Sequence, residues 1–112
     1  MIRIHFDPLA EAELSEAVSH YDEISTELGD ALLAETGRVV EQLLDFPLSV
    51  PIWKGKLRRR PLARFPYTLV YLIEEDLIFV VAVIHQARGP KHIAGRLDRL
   101  HRRGNPQGKS HT

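Results

Sequence analysis

The start of the chain alternates apolar and polar residues in the segment MIRIHF. A two-residue period of this kind is typical of a half-buried β-strand. Asp7 and Pro8 follow. An aspartate can cap the first turn of a helix, and proline suits that turn because its missing N–H needs no partner there. The pattern therefore predicts a short strand that leads directly into a helix.

Apolar residues then recur at helical spacing in two successive stretches. The first stripe comprises Leu14, Val18, Tyr21, Ile24 and Leu28, and the second comprises Leu32, Leu33, Val39, Val40, Leu43 and Leu44. Gly29 and Asp30 interrupt the pattern and are predicted to begin the second helix. That helix ends at Phe46 and Pro47 because proline cannot continue it. Two amphipathic helices with a short break predict a helical hairpin.

Three strand-like segments make up the next part of the chain. Residues 47–56 contain two prolines and a glycine and are predicted as a loop, in which Trp53 is expected to anchor packing. Residues 57–62 are predicted as a short strand, and Pro61 indicates an edge or a bulge there. Residues 67–73 and 77–85 are rich in Val, Ile, Tyr and Phe, which favours strands joined by the acidic turn at 74–76.

The strand at 77–85 is apolar at both alternating positions, which is typical of a central strand covered on both faces. From Pro90 onward the pattern predicts a short basic helix with Ile93, Leu97 and Leu100 facing inward. The element order is β-α-α-β-β-β-α. It predicts an α+β domain with an N-terminal strand, a helical hairpin, a three-stranded antiparallel meander and a C-terminal helix.

The length of 112 residues favours a single domain, predicted to span residues 1–102, with residues 103–112 as a flexible basic tail. The chain has no cysteine, which excludes disulfides and thiolate metal clusters. The N-terminal segment lacks a signal-peptide core, and no apolar run approaches the roughly 20 residues of a membrane span. We expect a cytoplasmic protein that contacts no membrane.

The formal net charge of zero conceals a strong asymmetry along the chain. Residues 1–46 carry a net charge of −9, whereas residues 47–90 carry +4 and residues 91–112 carry +5. Such a division indicates either an anionic partner on one side of the molecule or acidic helices that pair with a basic sheet edge.

Several kinds of site find no support in the residue pattern. The six histidines show no recognised metal-ligand spacing, and the glycines are too isolated for a phosphate-binding loop. The nucleophile motif G-x-S-x-G is absent. We therefore expect no metal site and no cofactor.

Cations and imidazoles are the remaining candidates for chemistry. Arg58, Arg60 and Arg64 share one parity, so a regular strand would project them from one face. The antiparallel hairpin brings the start of one strand beside the end of the next, so Arg64 and His85 are expected to be neighbours. The same rim is predicted to include Arg88, Lys91 and His92.

Such a cluster suits two kinds of ligand. RNA cleavage needs a base for the 2′-OH, an acid for the leaving oxygen and cations for the developing charge. Histidine suits proton transfer near neutral pH. The same arginines could instead hold a carboxylate-rich peptide through bidentate contacts. The residues alone leave open whether the protein is an enzyme.

The segments LRRRPLARFPYTLVYLIEED and VVAVIHQARGPKH, together with the strand order, resemble the RelE/ParE superfamily of bacterial toxins. The resemblance covers about residues 2–98. It implies growth arrest, a role in plasmid stabilisation, and neutralisation by a cognate antitoxin that wraps the toxin. It also implies one of two targets. Members similar to RelE are metal-independent endoribonucleases that cut mRNA on the ribosome, whereas members similar to ParE poison DNA gyrase.

Carried over to this sequence, the nuclease branch would use Arg64, His85 and Arg88 as catalytic residues. Contacts to nucleic acid or antitoxin would come from Lys54, Lys56, Arg58, Arg60, Lys91 and His92. Two departures from the nuclease pattern favour the gyrase branch: Gln86 replaces an aromatic residue, and a helical glutamate or tyrosine for acid–base work has no counterpart. The alternatives are a non-toxic nucleic-acid-binding module and a structural adaptor that binds a protein partner.

Overall fold

The computed structural model describes residues 1–88 and Arg96. Its elements are β1 (Arg3–Phe6), α1 (Pro8–Ile24), α2 (Thr26–Asp45), β2 (Ile52–Lys54), β3 (Leu57–Pro61), β4 (Tyr67–Glu74) and β5 (Leu77–His85). The predicted α+β class and the helical hairpin are confirmed. The predicted C-terminal helix and the tail at 103–112 lie outside the described residues.

The strands form one five-stranded sheet in the order β1-β5-β4-β3-β2. β1 pairs with β5 in parallel, and the other neighbours are antiparallel. The three-stranded meander is therefore confirmed. β5 lies inside the sheet between β1 and β4 and is buried on both faces, as its apolar sequence predicted, although β4 is the middle strand. The predicted loop at 47–56 differs in one respect, because Ile52–Lys54 forms the edge strand β2. Gly55, with a φ of 58°, turns the chain back into β3.

The break between the helices lies at Ser25, so the predicted start at Gly29 and Asp30 is wrong. The Ser25 N–H donates to the Tyr21 carbonyl, and its hydroxyl accepts from the Leu28 N–H at 3.2 Å. One serine thus ends α1 and caps α2. Gly29 lies inside α2, where a Cβ atom would sit 1.8 Å from Oδ1 of Asp22. The glycine therefore serves the close approach of the two helices.

Both faces of the sheet are apolar. On one face, the helices pack on Leu69, Tyr71, Ile78, Val80 and Val83. The opposite face, called the far face here, carries a second cluster around Leu57, Val70, Val81, Ala82 and Ile84, with Trp53 packed against it. Trp53 thus has the packing role predicted for it.

A β-bulge in β5 decides which side chains reach each face. Val70 pairs with Ala82, whereas Tyr71 pairs with Val80, so Val81 is an extra residue in β5. Val81 and Ala82 both belong to the far-face cluster, and Val83 returns to the helix side. Because sides alternate along a strand, the bulge reverses the parity of everything after it. His85 therefore points to the helix side rather than to the far face.

Candidate functional site

A cleft of about 570 Å³ lies between α1 and the end of β5. α1 contributes Glu13, Glu16, Ala17 and His20, and the sheet contributes Tyr67, Val83, Ile84 and His85; Arg88 and Arg96 complete the lining. It brings two imidazoles, a phenol, two carboxylates and two guanidinium groups together. We call it the α1–β5 cleft.

His85 is fixed at the exit of β5 by its neighbours. Its ring meets the ring of Tyr67 edge-on, with centroids 5.2 Å apart, and its Nδ1 accepts from the Ala87 N–H at 3.1 Å. Its carbonyl accepts from the Arg88 N–H at 2.9 Å. Since Nδ1 acts as an acceptor, the neutral ring carries its proton on Nε2. His85 can thus offer an N–H donor to a ligand.

Tyr67 stands beside His85 as a neutral phenol. Burial raises its pKa above the usual value of 10, and the neighbouring Tyr21 and Glu16 raise it further. The hydroxyl therefore stays protonated at neutral pH and can donate a hydrogen bond.

Glu13 and Arg96 form an ion pair at the same cleft. The Arg96 Nη2 lies 2.7 Å from Glu13 Oε2, and its Nη1 lies 3.0 Å from Oε1. Their side chains are 20% and 12% exposed, respectively, so both are largely shielded from water. The bidentate geometry makes this a strong, charge-assisted contact.

The strand arginines hydrogen-bond to other parts of the protein. Arg58 and Arg60 lie opposite Tyr71 and Leu69 in the sheet and so share the helix side, as their parity predicted. Arg58 donates to the carbonyl of Val50. Arg60 donates to Oε1 of Gln42 at 2.9 Å and to the Pro61 carbonyl.

Arg64 does not continue that row, because β3 ends at Pro61 and the chain turns into a loop. The backbone N–H groups of Ala63 and Arg64 both donate to Oε2 of Glu35, a buried residue of α2. The Arg64 guanidinium lies 5.7 Å from the centre of the Phe65 ring. Arg64 is exposed and does not line the α1–β5 cleft.

The predicted basic cluster is therefore divided over the molecule. Lys54 and Lys56 flank the β2–β3 turn, at the end of the sheet remote from His85. Lys56 lines a surface depression there with the acidic turn Glu74–Asp76 and with Arg3. Arg88 lies at the predicted rim with His85. Lys91 and His92 lie outside the described residues.

A second groove, of about 420 Å³, lies on the far face. The Arg59 guanidinium lies 4.6 Å from the centre of the Trp53 ring, within cation–π range, and both residues line the groove with Gln86 and Arg88. Sequence reasoning overlooked Arg59. The strand parity that groups Arg58 with Arg60 also places Arg59 on the opposite side of the sheet, so the sequence could have predicted its position.

His20 is a second residue that sequence reasoning overlooked. It follows Glu13 and Glu16 at spacings of seven and four residues, which place all three on one helix face.

Chemically, the α1–β5 cleft can exchange protons through its two imidazoles. Within residues 1–88 and Arg96, no three His, Asp or Glu side chains are grouped as metal ligands.

The described helices include none long and apolar enough to cross a membrane.

Comparisons with known proteins agree with the fold. Residues 4–90 match the family described as the ParE toxin of type II toxin–antitoxin system, parDE. A solved structure described as the chromosomal ParDE TA system from P. aeruginosa has a similar fold, with a TM-score of 0.57 and 18% identity. The similarity covers 76% of this chain and 96% of that chain. No curated protein matches the chain. Because the family match spans most of its length, this chain belongs to the ParE toxin family of type II toxin–antitoxin systems.

Proposed function

We propose that this toxin arrests bacterial growth by acting on DNA gyrase and that a cognate antitoxin neutralises it. The family match supports the general role of a toxin. The choice of gyrase over mRNA is supported by one observation: Arg64, the arginine to which the resemblance to nucleases assigns a catalytic role, does not line the cleft that contains His85.

The physical argument concerns the charge that develops during RNA cleavage. An acid, a base and a cation must surround one phosphodiester, because proton transfer and stabilisation of the phosphorane occur at the same atoms. Arg58 and Arg60 already donate to Val50, Gln42 and Pro61. In the α1–β5 cleft, Arg96 is already paired with Glu13, and the Glu16 carboxylate repels a phosphate. This arrangement favours a toxin that binds its target protein over one that cuts RNA.

The antitoxin is expected to be an acidic or extended polypeptide. The far-face groove presents Arg59 and Arg88 beside the apolar surfaces of Trp53 and Val70. A polypeptide with carboxylates and apolar side chains could pair with the two arginines and pack on the apolar surface. The solved structure with a similar fold is described as a ParDE system, in keeping with a two-protein assembly. If the toxin acts on gyrase and is bound by an antitoxin made in the same cell, it works in the cytoplasm.

Cleavage of ribosome-bound mRNA is the second candidate. It is favoured by His20, His85 and Arg88, which line one cleft and could supply an acid, a base and a cation. In that case His85→Ala abolishes cleavage and Arg64→Ala leaves it largely intact, because Arg64 lies elsewhere.

The test is induction of the chain alone in bacteria, with two readouts taken from the same culture. We expect growth to stop, gyrase-linked DNA breaks to accumulate and mRNA 5′ ends to remain unchanged. Co-expression of the protein encoded by the neighbouring reading frame should restore growth. New mRNA ends without DNA breaks would select the ribosomal target. Harmless expression at a high level would contradict the toxin role and favour a non-toxic binding module or an adaptor.

A further inference from the structure

We propose that Glu13 and Arg96 form a positioning pair that holds the β-bulge of β5 and thereby directs His85 into the α1–β5 cleft. The predicted position of the His85 ring does not depend on which target the toxin has. Any effect of this pair on toxicity rests on the proposed function, so an experiment can contradict the positioning role and the proposed function separately.

The argument begins at the edge of β5. β1 ends at Phe6, which pairs with Val80, and the Asp7 N–H donates to the Val80 carbonyl at 2.9 Å. After this point β5 continues to His85 with no described strand on the β1 side. The backbone groups along that edge therefore need other partners.

Glu13 and Arg96 supply partners where the bulge lies. The Arg96 Nη1 donates to the Val81 carbonyl at 2.9 Å, and the Val83 N–H donates to Glu13 Oε1 at 2.8 Å. Val81 is the extra residue of the bulge, and Val83 is the first residue after it that returns to the helix side. The ion pair therefore caps the backbone on both sides of Ala82.

The capping matters because the alternative register is also apolar. Without the bulge, Ala82 and Ile84 would face the helices, and Val83 and His85 would face away. Small apolar residues occupy both parities here, so hydrophobicity alone discriminates weakly between the registers. The bidentate pair adds charge-assisted hydrogen bonds that exist only in the bulged form.

A neutral variant separates this role from that of an ordinary ion pair. In Glu13→Gln the charge attraction to Arg96 is lost, but the amide oxygen can still accept from the Val83 N–H. A simple ion pair would be lost in this variant, whereas the backbone cap would persist.

The experiment is amide hydrogen exchange by NMR on the purified full chain, with each rate referred to the slowest amides of β4 and β5. We expect Val83 exchange to rise about tenfold or more in Glu13→Leu. Contacts between the His85 and Tyr67 rings should weaken in this variant. Glu13→Gln, which keeps an acceptor oxygen, should retain most of the protection. Arg3→Gln, which removes the exposed pair of Arg3 with Asp76, is the control and should change neither readout.

Loss of Val83 protection in Glu13→Gln as large as in Glu13→Leu would overturn the proposal, as would unchanged protection in Glu13→Leu. If Glu13→Leu does not fold, Arg96→Lys and Arg96→Gln provide the comparison. Lysine can still donate to Val81 and pair with Glu13, so it should preserve the His85–Tyr67 contact better than glutamine. Equal behaviour of these two variants would also overturn the proposal.

Discussion

The rings of Tyr67 and His85 meet edge-on across two paired strands, and their residues lie directly opposite each other in the sheet. Tyr67 also faces Tyr21 of α1 with a centroid distance of 6.5 Å, and Tyr21 meets Phe65 at 5.0 Å. This aromatic row joins α1 to the sheet beneath the α1–β5 cleft. It places the phenol of Tyr67 where burial raises its pKa.

Alkaline pH should destabilise the protein through two tyrosines. Burial is the main cause that raises the pKa values of Tyr67 and Tyr71 above 10, although Arg58 and Arg60 partly oppose the shift of Tyr71. In the unfolded chain these phenols ionise near pH 10, so above this pH the unfolded state binds fewer protons than the folded state. The free energy of unfolding therefore falls as the pH rises from about 10 through the folded pKa values.

Urea denaturation at pH 8 and at pH 11 measures this effect. The fall in stability should be smaller in the variant Tyr67→Phe/Tyr71→Phe than in the natural chain. An equal fall in both proteins would show that these phenols do not contribute.

Tyr71→Phe at neutral pH should leave stability unchanged or raise it by up to about 1 kcal/mol. The Tyr71 side chain is fully buried, and its hydroxyl has no hydrogen-bond partner among the described residues. Phenylalanine keeps the ring and removes the unsatisfied group. Thermal unfolding checks this, and a loss of more than about 1 kcal/mol would mean that the hydroxyl has a partner.

Gly29→Ala should stabilise the chain more when Asp22 is also replaced. Alanine favours a helix interior over glycine by about 1 kcal/mol, but the new Cβ atom would lie 1.8 Å from the Asp22 carboxylate. In the Asp22→Ala background this clash is absent, so the full gain should appear. A double-mutant cycle by urea denaturation measures the coupling, and equal gains in both backgrounds would contradict the close approach of Gly29 to Asp22.

Glu35→Ala should destabilise the protein by about 2 kcal/mol, because Glu35 accepts the N–H groups of Ala63 and Arg64 from within the core. Glu35→Gln keeps an acceptor oxygen and should cost less. Glu41→Ala, an exposed glutamate of the same helix, is the matched control. Hydrogen exchange at Ala63 and Arg64 reports the local effect. Unaltered exchange in Glu35→Ala would contradict the anchoring role.

Periodicity predicted most of the fold correctly. The helical stripes, the acidic turn and the apolar strand at 77–85 each depend on local residue pattern, and each is present. The predicted helix boundary is misplaced because the glycine at position 29 suggests a break in the apolar pattern, whereas the break lies at Ser25. The glycine instead lacks the Cβ atom that would clash with Asp22, which belongs to the other helix. Such a contact between two helices produces no periodic pattern in the sequence.

The site was harder to predict, because its geometry depends on three departures from regular strands. Pro61 ends β3 and carries Arg64 into a loop, so parity no longer applies to it. The turn at Gly55 sends Lys54 and Lys56 to the remote end of the sheet. The bulge at Val81 redirects His85, and a run of Val and Ala residues gives no sign of it.

Incubation of the purified chain with gyrase and plasmid DNA tests the central claim most directly. After detergent and protease treatment, gyrase-linked double-strand breaks should appear as linear plasmid, in proportion to the amount of toxin. Prior addition of the neighbouring gene's product should prevent them. Intact plasmid at every toxin concentration, together with cleavage of ribosome-bound mRNA by the same preparation, would contradict the account.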